Sequence, residues 1–124
     1  MAGIALLLVD HGSRSAEANT KIEQVAAFVR QLRPGLLVHT AHMEMAEPTV
    51  AQGFERCVRD GAAEIIVHPY MLSPGKHALA DIPRLVAECA ARHPEVKFTV
   101  TPPLGVHPKL AEIVLERAGL AGNG

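Results

Sequence analysis

The sequence predicts an α/β protein built on a four-stranded parallel sheet with helices on both faces. Three observations lead there. Gly3 to Val9 is a continuous apolar run rich in Leu, Ile and Val, which suits a strand covered on both sides. A strand-like run followed by a helix-like one then recurs until four βα units have been counted, and such units imply parallel strands joined by right-handed crossovers. Finally, 124 residues, 48% of them apolar, suffice for one core and not two. We expect a single domain over residues 1–120 and a flexible tail at 121–124.

Each element has its local reason. After the first strand, Asp10 to Ser15 is a turn-and-cap cluster in which Ser13 is positioned to cap a helix. That helix carries Ala18, Ile22, Val25, Ala26, Val29 and Leu32 at helical spacing and stops at Arg33-Pro34-Gly35. Leu36 to Met43 reads as the second strand. Pro48 suits the first turn of a second helix bearing Val50, Phe54, Cys57 and Val58, closed by Gly61. Ala63 to Val67 is the third strand, and a loop from His68 to His77 leads to a helix over Ala78 to Arg92 that contains Pro83. Val96 to Val100 is the fourth strand. The last helix, Pro108 to Ala118, has Leu110, Ile113, Val114 and Leu115 as its expected buried side.

Composition removes several function classes. Twelve basic residues against thirteen acidic ones, with one Tyr, three Phe and no Trp, offer neither a basic field nor a stacking surface for nucleic acid. The apolar stretch from Ile4 to Val9 is far too short to span a bilayer and no basic residue precedes it, so neither export nor insertion is expected. Cys57 and Cys89 form no CxxC pair; they read as core residues of a protein in a reducing compartment, the cytoplasm.

What remains distinctive is seven histidines, five of them (His11, His39, His42, His68, His77) at strand ends or in the loops that follow. Ligands of parallel sheets bind outside the carboxyl ends of the strands, near the point where strand order reverses. Familiar nucleotide and hydrolase loops fail on spacing. Arg14 and Glu17 stand where a dinucleotide loop needs glycines, Tyr70 and His77 spoil the phosphate loop suggested by Gly75-Lys76, and no GxSxG surrounds Ser13. No nucleotide is therefore expected. A lone strand-end His is more often a solvated side chain than a ligand, but His11 and His77 on neighbouring loops with Glu44 on a third make an open imidazole and carboxylate set. Such a set suits Fe²⁺, Co²⁺, Ni²⁺ or Zn²⁺ held loosely enough to be passed on. His39 and His93 read as satisfied structural residues, Met71-Leu72 as core or pocket wall, and His42, His68 and His107 have no assigned role.

Four blocks carry a resemblance: Val9 to Arg14, Ala41 to Thr49, His68 to Pro83 and Pro103 to His107. In this order they resemble the class II chelatases of the CbiX/SirB type, the sirohydrochlorin chelatases, in their short single-domain form with a flavodoxin-like half. The resemblance implies ATP-independent insertion of Fe²⁺ or Co²⁺ into sirohydrochlorin, a tetrapyrrole with eight carboxylates, toward sirohaem or cobalamin. It implies His11 and His77 as metal ligands and proton acceptors, Glu44 as a further ligand or relay, and Arg14, Ser13 and Lys76 as donors to the carboxylates of the substrate. The Ala-His-Met-Glu phrasing is similar to that of plant-like ferrochelatases and tilts the reading toward iron. Asp10 stands where many members have Gly. Long members carry two such halves, so this chain is expected to pair as a homodimer. The alternatives are a metal or tetrapyrrole carrier that does not catalyse insertion, and an inert subunit of a larger complex.

Overall fold

In the computed structural model, which describes residues 3–122, the chain runs β1 (Gly3–Asp10), α1 (Ala16–Asn19), α2 (Lys21–Leu32), β2 (Leu37–His42), α3 (Val50–Arg59), β3 (Ala62–Pro69), α4 (Lys76–Ala90), β4 (Lys97–Val100) and α5 (Pro108–Arg117). The strands pair in parallel in the order β2-β1-β3-β4. The chain leaves β1 to one side and crosses back to β3, so strand order reverses between these two, where such sheets bind ligands.

Successive residues of a strand point to opposite faces, and β1 therefore feeds two cores. On one face Ala5, Leu7 and Val9 belong with Phe54 and Cys57 of α3, Ile82 and Val86 of α4, and Ile65 and Val67 of β3. On the other, Leu8 joins Val38 of β2 and Ile22 and Ala26 of α2. Each large side chain fully buried in this way contributes roughly 1.5–3 kcal/mol. Gly53 sets the approach of α3 to the sheet, since a Cβ there would stand 2.8 Å from Leu7 Cδ1 and 3.0 Å from the Ala41 Cβ. Both cysteines are free and buried, as expected. Burial, with the charge of Asp60 adding to it, pushes the Cys57 thiol from 9.0 up to about 12.

Several boundaries differ from expectation. The first helix breaks at Thr20, whose hydroxyl donates to the Glu17 carbonyl at 2.7 Å, a local bond that competes with the helical ladder. Ala18 and Leu32, expected on its apolar stripe, are exposed. Its cap is Ser15, which accepts from Ala18 N–H at 3.2 Å; Ser13 instead supports that cap by accepting from Ser15 N–H at 3.0 Å. Pro48 lies outside α3, because Thr49 and Gln52 form a reciprocal capping box that starts the helix at Val50. Strand β3 runs on through His68 and Pro69, which pair with Leu8 and Val9, and α4 begins at Lys76, so His77 sits in its first turn.

The largest correction concerns α5, which buries none of its residues. Ile113, Val114 and Leu115 are 48%, 64% and 46% exposed, and Leu110 is only half-buried. The apolar stripe is present, but α3 and α4 occupy one face of the sheet and α2 the other, and no described element packs over it. No helix among the described residues is long and apolar enough to cross a membrane. Asn123 and Gly124, in the tail expected to be flexible, lie outside the described residues.

Candidate metal-handling site

The blocks singled out by their chemistry gather at the carboxyl end of the sheet. At the β1 and β2 ends the two following loops are stitched together. Met43 N–H donates to the Asp10 carbonyl at 2.8 Å, and Glu44 N–H to the His11 carbonyl at 3.1 Å. Gly12 has a φ of 90°, and a Cβ there would fall 1.9 Å from the Glu44 carbonyl oxygen, so only glycine lets the loops cross. Beside Glu44, Met45 is held at a φ of 72°, a left-handed conformation that bulky side chains avoid and that concentrates at functional sites. Asn19 brackets Ser13, accepting from its N–H at 2.9 Å and donating to its carbonyl at 2.7 Å, which shapes the segment carrying Arg14.

His11 is exposed and borders a depression of about 380 Å³ with Asp10, Tyr70, Met71, Leu72 and Ser73. Tyr70 N–H donates to the Val9 carbonyl at 2.7 Å, and this bond brings the chain after β3 back against β1. A neighbouring depression of about 470 Å³ is lined by Ser13, Arg14, His42, Met45 and Glu47. His77 and Lys76 are exposed in the first turn of α4, while Pro74 and Ala78 on either side of them border a third, apolar depression of about 360 Å³. A further depression, about 520 Å³, follows α3 and touches none of His11, Glu44 or His77; its chemistry is that of a helix surface. Among the described residues no three His, Cys, Asp or Glu side chains form a ready metal cage. The set His11, Glu44 and His77 thus shares one end of the sheet without forming a closed coordination sphere.

The remaining histidines have identifiable partners. His39 pairs with Asp60 and His93 with Glu55, each at 2.6 Å, and His93 also stacks on Phe54 at 6.3 Å between ring centroids. His107 caps α5 by accepting from Lys109 N–H at 3.1 Å. The Thr101 hydroxyl donates its one proton to the Pro102 carbonyl at 2.9 Å. It therefore accepts from His68 Nδ1–H, also at 2.9 Å, which leaves a lone pair on Nε2. Burial pushes this imidazole below its ordinary 6.5. His42 is buried and its Nδ1–H donates to the Asp10 carboxylate at 2.6 Å. Sequence reasoning missed that pair and the Asn19 bracket. The available signal was register: once β1 and β2 pair in parallel, Asp10 and His42 fall opposite one another.

The comparisons with known proteins agree with this fold. The CbiX family model matches residues 5–121. The chain is 38% identical to the chloroplastic sirohydrochlorin ferrochelatase of Arabidopsis thaliana, a match covering 90% of this chain and 50% of that one. It resembles the crystal structure of the sirohydrochlorin chelatase SirB from Bacillus subtilis subspecies spizizenii in complex with cobalt, with a TM-score of 0.84 and 31% identity over 94% of this chain and 50% of that one. It also resembles a putative cobalamin biosynthesis CbiX protein from Marinobacter aquaeolei VT8, with a TM-score of 0.77, 25% identity and 94% of both chains covered. The chain spans about half the length of the curated ferrochelatase and of the SirB structure.

Proposed function

The chain belongs to the CbiX family, and from that premise we propose that it is a sirohydrochlorin metallochelatase, inserting Fe²⁺ or Co²⁺ into the tetrapyrrole without a nucleotide. The observation that supports this reading is that His11, Glu44 and His77 lie in the segments that follow β1, β2 and β3, beyond the strand ends where strand order reverses. Insertion replaces two pyrrole N–H protons by one divalent cation and releases both protons. The imidazoles of His11 and His77 would grip the cation weakly and, as it passes to the ring nitrogens, their freed lone pairs would accept those protons, while Glu44 adds a ligand or passes a proton on. Arg14 and Ser13, on the wall of the 470 Å³ depression, and Lys76 at the start of α4 are the donors for the carboxylates of the macrocycle.

The chain acts as a homodimer in this reading, the second copy supplying the facing wall of the cleft. The uncovered apolar stripe of α5 supports it. Val114→Asp would then shift sedimentation from dimer to monomer. The buried free cysteines favour a reducing compartment such as the cytoplasm.

The deciding experiment mixes purified protein with sirohydrochlorin and Fe²⁺, Co²⁺, Ni²⁺ or Zn²⁺ in turn and follows the absorption change of metallation. We expect acceleration with Fe²⁺ and Co²⁺, and a loss of about 100-fold in His11→Ala and His77→Ala. No acceleration over the protein-free rate would leave a carrier or an inert subunit.

A further inference from the structure

Three histidine–carboxylate pairs at 2.6 Å occur among the described residues, and two of them lie away from the ends of β1 and β2. His39–Asp60 joins the middle of β2 to the end of α3, and His93–Glu55 joins the segment after α4 to α3. The third differs in place and in burial. Asp10 and His42 are the last residues of β1 and β2, and their side chains are 21% and 4% exposed. Asp10 immediately precedes His11, and His42 lies two residues before Glu44. The backbone around the pair is bonded on both sides: Met43 N–H reaches the Asp10 carbonyl, and His42 N–H donates to the Pro48 carbonyl at 2.8 Å. Asp10 also borders the depression shared with His11, whereas His42 borders the one shared with Arg14.

A buried imidazole bonded to a carboxylate is costly to place unless the bond is well formed, and here it closes the ladder where β1 and β2 end. No apolar packing requires a polar pair at this position, and the two loops it precedes deliver the two groups that meet the metal. We propose that Asp10 and His42 are a positioning pair, clamping the ends of β1 and β2 so that His11 and Glu44 are presented at one fixed separation. The proposal rests on the reading of His11 and Glu44 as metal-contacting groups. The working atom is His42 Nδ1, not Nε2, and that makes it testable. In asparagine the amide nitrogen occupies the place of Nδ1 while nothing replaces Nε2.

The test titrates Co²⁺ into the full chain, reading its visible d–d band, and measures metallation of sirohydrochlorin on the same samples. Asp10→Ala and His42→Leu should weaken Co²⁺ binding by about 10- to 100-fold and raise the KM for metal, with the KM for the tetrapyrrole unchanged. His42→Asn should return both readouts to within about threefold of wild type, since the positioning bond survives. Asp10→Asn, whose amide oxygen still accepts from Nδ1–H, should do likewise, and it decides the matter if His42→Leu does not fold. The proposal is overturned if His42→Asn is as impaired as His42→Leu, if His42→Leu matches wild type, or if wild type gives no Co²⁺ band. Should wild type fail to metallate the tetrapyrrole while the Co²⁺ bands keep this order, the pair stands and the chelatase reading falls.

Discussion

The two imidazoles assigned to the metal stand on unequal supports. His11 follows a strand end that is bonded backbone to backbone with its neighbour, crossed by a glycine that admits no side chain, and closed by the hydrogen bond between His42 and Asp10. His77 sits in the first turn of a helix whose cap is Gly75, which offers no side-chain bond, after a segment with open space around that glycine. One wall of the site is held by bonds between two loops, and the other begins its helix without a side-chain cap. In the proposed reaction a cation is received and then surrendered, and a firmly held base with a less constrained partner is a workable division, because only the second has to adjust as a macrocycle enters.

Substitutions that exchange these properties test the contrast. Gly12→Ala should have the largest effect, since its Cβ collides with the Glu44 carbonyl and its φ is left-handed. We expect at least about 2 kcal/mol of lost stability and about a 100-fold loss of metallation, read by denaturant unfolding and the absorption assay. An active, stable variant would mean that the β1–β2 corner is not rigid. Glu44→Gln keeps the shape of that corner and removes only a charge, so about a tenfold loss of turnover without a change in melting temperature is expected.

The third test concerns the tether on the looser side. His68 is held neutral by burial, so its folded value lies below the unfolded 6.5. The unfolded chain therefore binds more protons on the acid side: the stabilisation is intact above pH 6.5 and declines as pH falls below it through the folded value. His68→Asn retains a donor to Thr101 without a titrating ring and should flatten this decline in melting scans from about pH 8 to about pH 5. The smallest effect is expected of Gly75→Ser, which adds the missing cap bond to α4 and should stabilise by a few tenths of a kcal/mol. If its turnover is unchanged as well, the compliance of the His77 side plays no part in the reaction.

Much of this was legible before any coordinates. The strand of continuous Leu, Ile and Val and the polar blocks after each strand place the site at one end of the sheet, because apolar runs must be covered and chemistry collects where they stop. The features that were missed depend on separation in sequence. Asp10 and His42 are 32 residues apart, and nothing local in either loop announces the other. The break at Thr20 carries no glycine or proline to mark it. The stripe on α5 was read correctly as apolar and wrongly as covered, since periodicity tells which face seeks a partner and not whether one is present.

The buried thiols have a practical consequence. A thiolate is the form of cysteine that captures soft and borderline cations, and Cys57, at about 12, stays protonated and out of reach at any pH where the protein would work. A cation handled in the proposed reaction would thus meet no thiolate on the way. The same seclusion makes labelling by an alkylating reagent a gauge of global opening, with two silent reporters that register only when the whole core comes apart.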